Sequence, residues 1–140
     1  MSRARPKAVK PQKPAAPDER TLTAKLRRGD LFTGKCKARE VLAHVTSLWG
    51  MLCLVALRDG TLRYSELRRK VNGISEKMLA QTLQRLEGDG LLRRTSYPVI
   101  PPHVEYDLTP FGEEAAAHVA ALADWLELNL HRVPDAQLDL

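Results

Sequence analysis

The stretch NGISEKMLAQTLQRLEGDGLLRR, Asn72 to Arg94, constrains the fold of this chain more than any other part of it. It holds a turn, an amphipathic helix and the start of a strand with nothing between them. Asn72-Gly73 is a turn dipeptide, Ser75 is a helix N-cap, and Ile74 precedes the cap by one residue, placed to staple against Leu79. Leu79, Leu83 and Leu86 fall within a narrow arc at about 100° per residue, and Gly90 is a C-terminal stop. Opposite that arc lie Lys77, Gln81 and Gln84, with Met78 and Arg85 on one flank. The solvent face thus carries amide and basic side chains and no carboxylate. Glu76 is the one acid nearby, and the first helical position suits it to the helix dipole.

The flanking segments extend the pattern. Val41, Val45, Leu48 and Leu52 recur at helical spacing after Lys37, and Met51 to Leu57 is apolar all round, which predicts a surface helix and then a buried one. Arg58-Asp59-Gly60 ends the buried helix, and Ser65 is expected to cap a short helix, SELRRKV, with Leu67 and Val71 inward. Downstream, LLRRTSYP and HVEYDL read as two strands of a hairpin joined through Pro98-Val99-Ile100-Pro101-Pro102. Thr109 followed by Pro110 starts a last helix. Its apolar stripe is Phe111, Ala115, Val119, Leu122 and Leu126, with Trp125 beside it. From Pro110 to Leu130 this helix would run roughly 30 Å, longer than a small core needs, so a partner helix is expected.

Helix, helix, short helix, tight turn, helix, hairpin, long helix is the order of a winged helix-turn-helix domain: mainly α, with a small β-hairpin wing. In such a domain the second helix of the pair enters the DNA major groove, where negative potential disfavours carboxylates. Gln81 and Gln84 suit adenine, and Lys77 and Arg85 suit guanine or phosphate; Ser75 and Met78 complete the candidate reading helix. Arg68, Arg69 and Lys70 before the turn, and Arg93, Arg94 and His103 on the wing, are candidates for contacts that set register. The expected partner is double-stranded DNA. The rival reading is a winged-helix module that binds protein. RNA is less suited, because the hairpin lacks the paired exposed aromatics that stack bases. Catalysis finds no support in a phosphate loop, a nucleophile motif or a carboxylate pair, and no cofactor is expected.

Charge is unevenly distributed. Residues 1 to 17 carry five basic side chains, no acidic one and four of the nine prolines, which predicts a disordered basic tail. Residues 18 to 34 read as a linker or a short helix at LTAKLRR, 35 to 131 as the folded domain, and 132 to 140 as a flexible C-terminus. Arg58 to Arg94 holds nine basic against five acidic residues, and Glu105 to Leu140 holds one against eight, so one surface is suited to a polyanion and another faces away. The longest apolar run is too short for the roughly 18 residues of a membrane span, and no secretory leader is evident, so a cytoplasmic setting is expected. Cys36 and Cys53 then read as free thiols, Cys53 in the core, and the four histidines have no metal-ligand spacing.

The same residues resemble a known family. NGISEKMLAQTLQRLEGDGLLRR followed by YPVIPPHVEYDLTPFG is similar to the core signature of the HxlR-type winged-helix transcriptional regulators of bacteria, relatives of the MarR group, over about Cys36 to Leu126. The resemblance implies a homodimer closed by its first and last helices, on a palindromic site. It also implies a role for Cys36, since several members carry an oxidant- or electrophile-sensing cysteine at the matching position, whereas others respond to small ligands. Cys36 lies between Lys35 and Lys37 near a helix start, a setting that favours thiolate. The chain departs from the family pattern at Lys37, at Thr46-Ser47 and at His103, where arginine is frequent, and the basic tail is an addition.

Overall fold

The computed structural model describes residues 18–29 and 36–135. The expected tail, residues 1 to 17, lies outside them, as do Lys35 and residues 136 to 140. Two units are distinguished, divided after Cys36. In the first, LTAKLRR forms helix α1 (Leu22–Arg28), capped by Thr21, whose hydroxyl accepts from the Ala24 amide, and ended by Gly29 at φ 73°.

The second unit begins with α2 (Lys37–Thr46) and α3 (Leu48–Ala56). The periodicity that ran through Leu48 is broken at Ser47. Its hydroxyl accepts from the Gly50 amide (3.1 Å) and donates to the His44 carbonyl (2.8 Å), turning the chain by 72°. A Cβ at Gly50 would stand 2.0 Å from that carbonyl, so only glycine allows the corner. Leu48 consequently starts α3 in an exposed position, while Cys53, Leu54 and Leu57 enter the core.

A two-residue strand β1 (Leu62–Arg63) follows and leads directly into α4 (Tyr64–Lys70). Arg63, not the expected Ser65, is the N-cap, because the chain leaves the strand at Arg63 in extended conformation and the helix starts at once. The Glu66 carboxylate accepts from the Arg63 amide (3.1 Å), which supplies the partner that a capping serine would have found from the other side. Leu67 and Val71 point inward as expected. After the turn, where Gly73 adopts φ 92°, comes α5 (Glu76–Gly88), with Ser75 accepting from the Met78 amide (3.1 Å). Ile74 and Leu79 are both buried in one cluster, and Leu83 and Leu86 join them. Gly90, at φ 78°, ends the helix: its amide donates to the Glu87 carbonyl and the Leu91 amide to that of Leu86, the paired bonds of a Schellman motif.

Strands β2 (Leu92–Tyr97) and β3 (His103–Leu108) form the hairpin, and β3 also pairs with β1, giving a three-stranded antiparallel sheet in the order β1-β3-β2. The last helix, α6 (Pro110–Leu128), starts at Thr109, whose hydroxyl accepts from the Gly112 amide (3.0 Å) and donates to the Gly90 carbonyl (2.6 Å). The single stripe expected on α6 divides in two. Gly112, Ala116, Val119 and Ala120 are buried, and their small side chains bring α6 close to the α3 side of the core. Phe111 (55% exposed), Leu122 (58%), Trp125 (56%) and Leu126 (47%) lie on the outer side. Val119 was expected with the outer set. At about 100° per residue it sits at one edge of that arc, and the helix is rotated so that this edge packs inward, with Ala115 half-buried beside it. Among the described residues no single helix is long and apolar enough to cross a membrane.

Candidate nucleic-acid interface

Helix α5 buries Leu79, Thr82, Leu83 and Leu86, and this burial decides what faces out. Thr82 satisfies its own hydroxyl by donating to the Met78 carbonyl (2.7 Å). Lys77, Gln81 and Gln84 project from the opposite side, all exposed, and Met78 is partly so. Among the described residues none of Lys77, Gln81, Gln84 and Arg85 has a salt-bridge or hydrogen-bond partner through its side chain, so their donors are available. Arg85 stands apart on the flank toward α2, lining a small recess with Ala43, His44 and Ser47.

The short basic helix divides its cations. Arg68 reaches across the turn to Glu76 (2.8 Å), so the only acid at the start of α5 is neutralised there, and the Tyr64 hydroxyl donates to the Glu76 carbonyl (3.3 Å). Lys70 lies 3.8 Å from Asp59, a long and exposed pairing. Arg69 has no ion pair among the described residues.

On the wing, side chains alternate between two faces. Arg93, Thr95 and Tyr97 stand opposite Asp107, Glu105 and His103, while Leu92, Arg94 and Ser96 stand opposite Leu108, Tyr106 and Val104. The first face is paired internally. Arg93 binds Asp107 (2.7 Å), His103 lies 3.3 Å from Glu105, and Tyr97 stacks on His103 with centroids 4.8 Å apart. The nearby Glu105 charge also pushes the exposed Tyr97 phenol above its ordinary pKa. Arg94, on the second face, stands opposite Tyr106. Burial holds the Tyr106 phenol above its ordinary pKa, and among the described residues Arg94 has no ion pair.

Two concave surfaces adjoin these groups. One, of about 670 Å³, runs between Arg63, Tyr64 and Ser65 and the wing, where Arg94, Ser96 and also His103 line it; the other, of about 450 Å³, includes Tyr64, Ser65, Arg68, Arg69 and Asn72. Arg63 and Tyr64 had no signal in the sequence, because β1 is too short to show a period and its pairing with β3 brings them beside the wing.

The two thiols differ. Cys36, the residue before α2, is half-buried and unbonded. Cys53 is fully buried, and desolvation pushes its thiol up to about 12.

Residues 44–134 match the HxlR-like helix-turn-helix family. The HTH-type transcriptional regulator YtfH of Escherichia coli strain K12 is 64% identical over 113 residues, covering 81% of this chain and 90% of that protein. Among solved structures, the transcriptional regulator YtfH from Salmonella typhimurium is similar with a TM-score of 0.70 at 69% identity, over 74% of this chain and 92% of that one. The redox regulator HypR in its reduced form is similar with a TM-score of 0.64 at 31% identity, over 72% of this chain and 100% of HypR. With a helix-turn-helix pair, a three-stranded wing sheet and the sequence match in agreement, the chain belongs to the HxlR-like helix-turn-helix family of transcriptional regulators.

Proposed function

We propose that the protein regulates transcription as a homodimer that reads a palindromic site in double-stranded DNA, each α5 lying in a major groove. The observation that carries this reading is the outward face of α5, where Lys77, Gln81 and Gln84 are exposed and, among the described residues, unpaired, while the neighbouring acid Glu76 is held by Arg68. An amide side chain can pair bidentately with adenine, and such a pair discriminates by about 1–3 kcal/mol. Support for the dimer comes from Phe111, Leu122, Trp125 and Leu126, four large apolar side chains exposed along one side of α6. Support for a thiol signal comes from the accessible Cys36 and from the likeness to HypR, described as a redox regulator.

Selection of bound duplexes from a random pool tests the reading. The selected site should be two-fold symmetric. Gln81→Ala should relax preference at one or two base pairs in each half, while Arg69→Ala should weaken selected and random duplex alike. Equal losses on both duplexes for both variants would rule out readout by α5. Binding that is insensitive to salt would instead favour an apolar protein partner, since phosphate contacts release counterions.

A further inference from the structure

Apolar packing alone fixes α2 weakly. The helix meets α3 at a 72° corner, none of its ten residues is buried, and Val45 is the side chain of α2 that packs against the core cluster. To α5 it is joined by a polar contact: His44 Nδ1, in the last turn of α2, lies 2.6 Å from Oδ2 of Asp89, the C-cap of α5. The place is unfavourable for a carboxylate. Both helices end there, each with the negative end of its dipole, and Asp89 is largely shielded from water. A carboxylate kept there needs a partner, and His44 is that partner. The same junction also carries α6. The Asp89 amide donates to the Arg85 carbonyl (3.0 Å), the Gly90 carbonyl accepts from the Thr109 hydroxyl (2.6 Å), and the Leu91 carbonyl accepts from the Thr109 amide (3.1 Å). Successive residues at the end of α5 therefore reach both α2 and the cap of α6. These two helices carry exposed apolar surface, Leu42 on α2 and Phe111, Leu122, Trp125 and Leu126 on α6.

We propose that the contact between His44 and Asp89 is a strut that fixes the reading helix relative to the helices of the dimer, and so sets which spacing of two half-sites the protein accepts. The inference rests on the palindromic reading above and adds which residues position α5 without belonging to its outward face. A two-fold dimer presents its two reading helices at one separation. A half-site moved by one base pair is displaced by about 3.4 Å and turned by about 35°. Only a helix held in a definite orientation rejects that change. Apolar contacts slide at small cost, whereas a hydrogen bond to a carboxylate is directional and weakens as its geometry is lost. The strut stands one turn beyond Arg85, whose side chain lines a recess with His44 and Ser47. A shift at the strut is thus carried directly to a side chain suited to guanine or phosphate.

The test titrates the full-length protein with duplexes that carry the two selected half-sites at the selected spacing, at one base pair more and at one base pair fewer. Sedimentation and circular dichroism at the assay temperature establish that each variant is dimeric and folded. The unmutated protein should prefer the selected spacing by about tenfold or more, the scale of one base-pair error in a site. His44→Leu fills the space of the ring without a donor, and Asp89→Ala removes the acceptor. Each should bring the preference close to parity, and either decides the matter if the other does not fold. Cys53→Ala, a loss of core packing at α3, should keep the preference. A preference retained in His44→Leu or in Asp89→Ala would overturn the strut while leaving readout by α5 standing. An equal loss in Cys53→Ala would overturn it too, since spacing would then follow stability alone, as would an unmutated dimer that accepts all three spacings alike. If the unmutated protein is a monomer, or binds one half-site as tightly as the pair, the homodimer reading and the strut fall together.

Discussion

His44 Nδ1 lies 2.6 Å from Asp89 Oδ2, a contact that ties α2 to the residue ending α5. Both side chains are largely shielded, His44 at 27% and Asp89 at 12% exposure. Two elements separated by 45 positions in sequence are thereby held together at the C-terminal end of the helix that carries Gln81 and Gln84. A hydrogen bond to a charged group in such a setting contributes about 1.5–3 kcal/mol. His44→Ala and Asp89→Asn should each destabilise the protein by about that amount, and the double variant by little more than either single one, because the loss is shared. Urea unfolding of the four proteins measures the coupling; additive losses would show that the contact contributes nothing.

Glycine positions give a sharper contrast. A Cβ at Gly112 would stand 1.7 Å from the Leu91 carbonyl oxygen, where α6 begins against the end of α5. Gly112→Ala must therefore push α6 off its seat and should cost at least about 2 kcal/mol. Gly88, inside α5, would meet nothing within 4 Å. Gly88→Ala should stabilise by roughly 0.5–1 kcal/mol, the helical penalty of glycine. Thermal unfolding distinguishes the two, and similar shifts for both would contradict the packing at Leu91.

The outer side of α6 is tested by Leu122→Glu, which leaves the inner face of Ala116, Val119 and Ala120 untouched. With the proposed dimer, sedimentation should find the unmutated protein as a dimer at micromolar concentration and the variant as a folded monomer with weaker operator binding. A monomeric unmutated protein would remove the dimer from the reading.

Thiol reactivity should follow burial. The thiolate is the reactive form, and Cys53, pushed up to about 12 by desolvation, stays protonated at neutral pH until the pH approaches that value or the fold opens. Mild peroxide or a quinone should accordingly modify Cys36 first, as located by mass spectrometry. Cys36→Ser should bind DNA yet no longer respond to the oxidant, and Cys53→Ala should respond normally at reduced stability. A Cys36→Ser variant that responds like the unmutated protein would rule out the thiol signal.

The helix α5, its Ser75 cap, its Gly90 stop, the hairpin and the Thr109-Pro110 start of α6 could all be read along the chain, because each depends on residues within one turn or one period. The winged helix-turn-helix order followed from them, and so did the identity of the outward side chains on α5. What tertiary structure decided was set by contacts between distant segments. The corner at Ser47 depends on how closely Gly50 can approach His44, which periodicity cannot register. The N-cap of α4 moved to Arg63 because a two-residue strand pairs with β3. The apolar surface of α6 split into inner and outer faces because the rotation of a helix about its axis is fixed by what it packs on, here small residues against α3 and the Leu91 backbone. The candidate cations were sorted in the same way. Composition counts Arg93 and Arg94 alike, but the register of β2 on β3 sets Arg93 opposite the Asp107 carboxylate, to which it is paired, and Arg94 opposite Tyr106.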